Sequence, residues 1–133
     1  MAEDDAVLAA NQAFYSAFAA ADAAAMVALW ARRAPVACIH PGWGMLAGRD
    51  EVVESWRRIF RAAPPDIVCH DARAFVLGDT AFVICLEIIP EAVLIATNVF
   101  VREAGRWRLV HHQAGPTAER PNIVAPAPTG PRH

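Results

Sequence analysis

Residues 67–113 are cut into short apolar runs by turn residues at regular intervals: Gly78-Asp79, Pro90-Glu91 and Ala104-Gly105. Two-residue turns between such runs specify antiparallel hairpins, because no chain is left over for a crossover. The expectation is a four-strand meander over 67–77, 80–88, 93–102 and 106–113. Ahead of it the periodicity is helical. Val7, Ala10, Phe14, Ala17, Phe18 and Ala21 share one face. Asp22 is a good N-cap for a second helix through Met26, Leu29 and Trp30, which Arg32 and Arg33 close and Pro35 forbids from continuing. A short strand over 36–40 follows. A third helix over 48–61 turns Val52, Val53, Trp56, Ile59 and Phe60 inward. Its acidic residues come early and its arginines late, as the helix dipole favours. Three N-terminal helices and then a meander make an α+β pattern, with one sheet face buried against the helices. The other face is also apolar, at Val99, Val101 and Val110, and points to a homodimer.

The chain has 133 residues, one domain's worth, and 56% of them are apolar. We expect a single domain over 1–116 and a Pro-rich, aperiodic tail over 117–133. All twelve basic residues are arginine, which with the alanine and proline content reads as GC-rich bacterial codon usage. A net charge of −2 without a basic run argues against nucleic-acid binding. No apolar run is long enough for a bilayer, and MAEDDAV has no signal-peptide character, so a cytoplasmic protein is expected. Cys38, Cys69 and Cys85 are odd in number, widely spaced and set in predicted strands. They read as small core residues.

His40-Pro41-Gly42-Trp43 follows the first strand. It places an imidazole and a large aromatic where a strand leaves the core, a plausible mouth for a small-molecule pocket. His40 is then a candidate general base, since neutral imidazole is poised near physiological pH; the alternative is a loop histidine that caps backbone groups. Trp43 either stacks on a ligand or plugs the core. In the second hairpin, numbers summing to about 209 pair Asn98 with His111 and Phe100 with Leu109. Asn98 and His111 are therefore candidate polar anchors for a ligand. In the first hairpin His70 opposes Glu87, on a face shared with Ala74, Val83 and Cys85. Glu87, in the run ICLEII, is a carboxylate among apolar groups, and burial would raise its pKa unless it is paired. It is the second candidate acid/base group. Tyr15 lies one position off the first helix's stripe and is either packed or reaches the pocket with its hydroxyl. Adjacent His111 and His112 point opposite ways and cannot chelate one metal, and the sequence lacks HxH or HxxxE spacing, so no metal is expected; no cofactor is expected either.

Three segments carry a family resemblance: ADAAAMVALWARRAPVACIHPGWGMLAGRDEVVESWRRIF, FVLGDTAFVICLEI and TNVFVREAGRWRLVHHQAGP. Together they resemble the NTF2-like superfamily, and within it the SnoaL-like domains. That resemblance implies a cystatin-like cone of helices wrapped by a curved sheet. The last segment resembles the closing hairpin of these domains, including the calcium/calmodulin kinase association domain. The superfamily hosts isomerases, dehydratases, cyclases, hydrolases and non-enzymatic adaptors, so fold does not select function. In ketosteroid isomerases a general-base aspartate precedes a proline at the end of the first strand, and here that place is held by His40-Pro41. Their oxyanion tyrosine aligns with Phe14, and their second oxyanion acid falls near Thr97 or Asn98. The resemblance therefore implies a cavity of that type with altered machinery. The expectation is a small-molecule-binding protein, with cofactor-free acid/base chemistry on a small, partly apolar substrate. The alternative is a non-catalytic association or ligand-sensing module.

Overall fold

A computed structural model describes residues 2–121. Helix α1 spans Ala2–Ala20, α2 Ala23–Leu29 and α3 Arg49–Arg61. The strands are β1 Ala37–Ile39, β2 Leu46–Ala47, β3 Val68–Leu77, β4 Thr80–Ile89, β5 Ala92–Glu103 and β6 Arg106–Pro116. The architecture is α+β, but the helices do not form an unbroken N-terminal block: β1 and β2 intervene before α3. No helix among the described residues is long and apolar enough to cross a membrane. The tail beyond Pro121 lies outside the described residues.

Local chemistry explains most boundaries. The Asp22 side chain accepts from Ala25 N–H at 3.0 Å and starts α2. That helix stops at Leu29, earlier than its arginines suggest. Its last carbonyls are capped from a distance: the Arg49 guanidinium donates to Val27 O, Trp30 O and Ala31 O, and Arg108 donates to Ala28 O. Gly48, at φ 93 and ψ 148, precedes α3 in a conformation open to glycine alone. Arg32 N–H, Arg33 N–H and Ala34 N–H all donate to the Glu103 carboxylate, at 2.7, 2.8 and 3.0 Å. Those three donors hold its carboxyl down at a pKa of about 2.

The strands form one six-stranded sheet in the order β2-β1-β6-β5-β4-β3. All pairs are antiparallel except β1 with β6, which run parallel and set Ala37 beside His111 and Cys38 beside His112. Two of the three hairpins, β3–β4 and β5–β6, carry a bulge. The β3–β4 register shifts between His70 and Arg73, where Asp71 takes φ 57. The β5–β6 register shifts between Val99 and Phe100, leaving Val110 as the extra residue. A bulge of one residue exchanges the faces of everything beyond it. The inner face of β6 is therefore Trp107 and Leu109 before the bulge, and His112 and Ala114 after it.

The helices cover that inner face. Phe14, Phe18, Met26, Trp30, Trp56, Phe100 and Leu109 form the core. Phe14 and Trp56 meet edge to face, with centroids 5.4 Å apart. The outer sheet face keeps Phe75 and Ile95 exposed, beside the half-buried Val99 and Val101.

Candidate functional site

A cavity of about 280 Å³ opens between α1, α3, the loop after β1 and the ends of β4 and β5. Most of its wall is apolar: Phe18, Trp43, Trp56, Ile59, Ile67 and Leu94 are typical of it. Three polar residues also line it, His40, Glu87 and His112, and among the described residues no arginine does. Each of the three is almost fully buried.

His40 directly follows β1 and faces α3. The Ser55 hydroxyl donates to Val52 O at 2.6 Å, so its oxygen accepts from His40 Nε2–H at 2.9 Å. That bond leaves the lone pair of neutral His40 on Nδ1. The ring stands edge on to Trp43 and Trp56, at 4.8 and 4.6 Å between centroids. Burial pulls its pKa down to about 4. Trp43 is an exposed wall residue, and the Arg58 guanidinium lies over its ring at 5.4 Å.

Glu87 comes from the inner face of β4. The Tyr15 hydroxyl donates to Glu87 Oε2 at 2.6 Å and lies 3.3 Å from Cys85 Sγ. Burial raises the Glu87 pKa and the Tyr15 bond opposes the rise only in part. Tyr15 is itself raised, by burial first and then by Glu87 and Cys85. Asn98, buried on β5, donates through Nδ2 to Asn11 Oδ1 at 2.8 Å and to the Tyr15 oxygen at 3.3 Å. Its amide nitrogen is thereby committed, and Asn98 Oδ1 accepts from His112 Nδ1–H at 2.5 Å. His112 therefore carries its proton on Nδ1 and its lone pair on Nε2, which lies 4.0 Å from Glu87 Oε2. Burial lowers its pKa to about 3, and nearby His40 and His111 add to the effect.

His40, Glu87 and Trp43 thus line one cavity. Tyr15 and Asn98 stand behind its wall and orient Glu87 and His112. His111 does not join them. The Val110 bulge turns it to the other face, where Nδ1 reaches Ala37 O at 3.0 Å. The residue opposite Asn98 is His112. His70 likewise fails to meet Glu87: it pairs with Leu86, and Cys69 stands opposite Glu87. His112 and Asn11 are the members of the cluster that sequence reasoning missed. The pairing of small inner residues Ala96 and Ala114 was the available cue to the His112 register. Among the described residues, no three His, Cys, Asp or Glu side chains stand together as metal ligands.

This arrangement holds two imidazoles without positive charge, and a carboxyl group with its ionised form disfavoured, at one end of an apolar space. It can donate and accept protons there without a metal. A proposed dehydratase of the NTF2-like family from Streptomyces avermitilis is similar to this chain. It superposes with a TM-score of 0.78 at 32% identity, over 86% of this chain and 96% of that one. A proposed calcium/calmodulin-dependent protein kinase type II association domain from Thiobacillus denitrificans gives 0.73 at 38% identity, over 82% and 93%. The F-box protein SKIP8 of Arabidopsis thaliana is 30% identical over 112 residues, 82% of this chain and 48% of that protein. The chain thus spans about half the length of that curated relative. Its residues 7–119 match the model of the SnoaL-like domain, and the chain belongs to that family within the NTF2-like fold.

Proposed function

We propose that the protein binds a small, partly apolar molecule in this cavity and performs cofactor-free acid/base chemistry on it, of the isomerase, dehydratase or cyclase type. One observation carries the reading: His40, Glu87 and His112 converge on one apolar cavity from three different elements. Three nearly buried polar residues are costly to a core, and a core with no task would fill the space with apolar side chains. His40 acts as base through Nδ1, Glu87 as the acid, and His112 as the second acceptor. Tyr15 and Asn98 set the orientation of Glu87 and His112, while Trp43 forms the entrance wall. The likeness to a proposed dehydratase supports this reading.

The test assumes no single substrate. Neutral cyclic ketones are incubated with the protein in D2O, and α-deuteration is followed by NMR. Acceleration by the wild type, lost in Glu87→Gln and His40→Ala variants that remain folded, is the expected result. No acceleration and no binding across the series would refute the reading.

The second reading is an association module. It is favoured by exposed Phe75 and Ile95 on the outer sheet face and by the likeness to a proposed kinase association domain. The two are compatible, because the cavity opens on the opposite side of the sheet. A homodimer through the outer face, including Val99, Val101 and Val110, is the form we propose.

A further inference from the structure

A second pocket lies at the other end of the sheet. The cavity wall includes Leu94, near the start of β5. Glu103 ends that strand, nine positions further on, which is about 30 Å at the usual rise per residue. There the β5–β6 turn meets the segment that follows α2, around a space of about 260 Å³. Arg32, Arg33, Arg108, Glu103 and Ala104 line it.

Glu103 is the one carboxylate on this wall among the described residues, and its oxygens are already taken. Three successive backbone N–H groups hold it: Arg32 on Oε1 at 2.7 Å, and Arg33 and Ala34 on Oε2 at 2.8 and 3.0 Å. Moving the carboxylate toward the guanidiniums would strand those donors, so it stays where it is. A carboxylate has about four lone-pair sites, which leaves about one, whereas the three guanidiniums bring about fifteen N–H donors. Among the described residues, one of those donors is used, from Arg108 to Ala28 O, and it fixes that half-buried side chain in place. The arginine–carboxylate ion pairs of the described residues lie elsewhere: Arg61 with Glu54, Arg73 with Asp71, and Arg102 with Glu3 and Asp79.

Three positive charges against one negative leave this pocket an excess of two. The excess is local, because the whole chain carries −2. It is felt at Arg49, which caps the neighbouring carbonyls of α2. Burial lowers the Arg49 pKa, and the charges of Arg32 and Arg108 lower it further, against Glu103 and Asp50.

We propose that this arginine pocket binds a phosphate group, either the free ion or the end group of a small molecule, at a site separate from the cavity. The charge fits: a phosphate monoester carries about −1.5 to −2 at neutral pH, whereas a simple carboxylate brings a single charge. The shape fits as well. Its terminal oxygens accept the paired N–H donors of a guanidinium two at a time, which a compact ammonium could not offer.

The experiment is a titration of the isotope-labelled chain, followed by backbone amide NMR, with inorganic phosphate and with phenyl phosphate, and with acetate as the control. Ionic strength is held at about 0.15 M and pH at about 7.5, so that screening is constant and the phosphates are doubly charged. The expected result is a saturable shift centred on Arg32, Arg33, Ala104 and Gly105, with acetate about tenfold or more weaker. Saturation by inorganic phosphate would assign the free ion, and saturation by phenyl phosphate alone a phosphorylated molecule. The Arg32→Gln/Arg33→Gln double variant should bind about tenfold or more weaker. Both side chains are exposed and the bonds to Glu103 use backbone N–H, so the variant keeps the hydrogen bonds of the fold. No saturable shift at those residues, equal affinity for acetate, or unchanged affinity in the double variant would overturn the proposal. Wild-type selectivity decides it even if the variant does not fold.

Discussion

Glu87→Gln should make the protein more sensitive to acid, although it removes an acidic group. The unfolded chain protonates each histidine near 6.5, whereas folded His40 and His112 resist until about 4 and about 3. Between those limits the unfolded state binds more protons, so stability falls as pH falls. From pH 7.5 to about pH 5, each buried histidine costs roughly 2 kcal/mol, and the two together roughly 4. Glu87 works in the opposite direction. Its folded pKa lies above the ordinary 4.5, so below that folded pKa the native state holds a proton that the unfolded chain releases. Its contribution rises as pH falls toward 4.5 and offsets part of the histidine loss. Glu103, held near 2, titrates below this window. The variant removes the offset and exposes the full loss of about 4 kcal/mol, a large part of the 5–15 kcal/mol typical of a domain. Urea unfolding at both pH values measures it. A pH dependence in Glu87→Gln no steeper than that of the wild type would refute the claim that Glu87 holds a proton in the folded state.

Three further outcomes follow from the geometry. Gly48→Ala meets open space but a backbone confined to glycine, and should lose about 1–3 kcal/mol in urea unfolding. Arg49→Ala leaves Val27 O, Trp30 O and Ala31 O without their cap, and should lose about 2 kcal/mol, with Arg49→Lys recovering only part because an ammonium lacks the fork. On the proposed homodimer through the outer face, Ile95→Asp should shift the protein from dimer to monomer in analytical ultracentrifugation without changing its far-UV spectrum, and an unchanged mass would count against that dimer.

What the sequence discloses follows the range of the interactions involved. The hairpins were legible because Gly78-Asp79 and Ala104-Gly105 are local turn chemistry. Glu87 was legible as a carboxylate inside an apolar strand, and His40 as an imidazole at a strand end. The two-residue strand β2 and the parallel pairing of β1 with β6 were not, because both depend on contacts distant in sequence. The bulges decided the rest. Nothing in the run LVHHQ marks Val110 as the extra residue, and a shift of one position puts His112 in the cluster in place of His111. Tyr15 was obscured for another reason. Val7, Asn11, Phe14, Tyr15 and Phe18 form a full helical stripe, but only if polar Asn11 is counted as an inward residue. Asn11 earns that place through Asn98, a partner 87 positions away.

The central claim is that two neutral imidazoles with opposite tautomers face a carboxyl in one cavity. Long-range nitrogen–proton NMR of the histidine rings tests it most directly, on uniformly labelled protein titrated from pH 8 to about pH 4.5. The account predicts that His40 stays neutral with its proton on Nε2, held by Ser55, and that His112 stays neutral with its proton on Nδ1, held by Asn98. Protonation of either ring near 6.5, or the same tautomer in both, would contradict it.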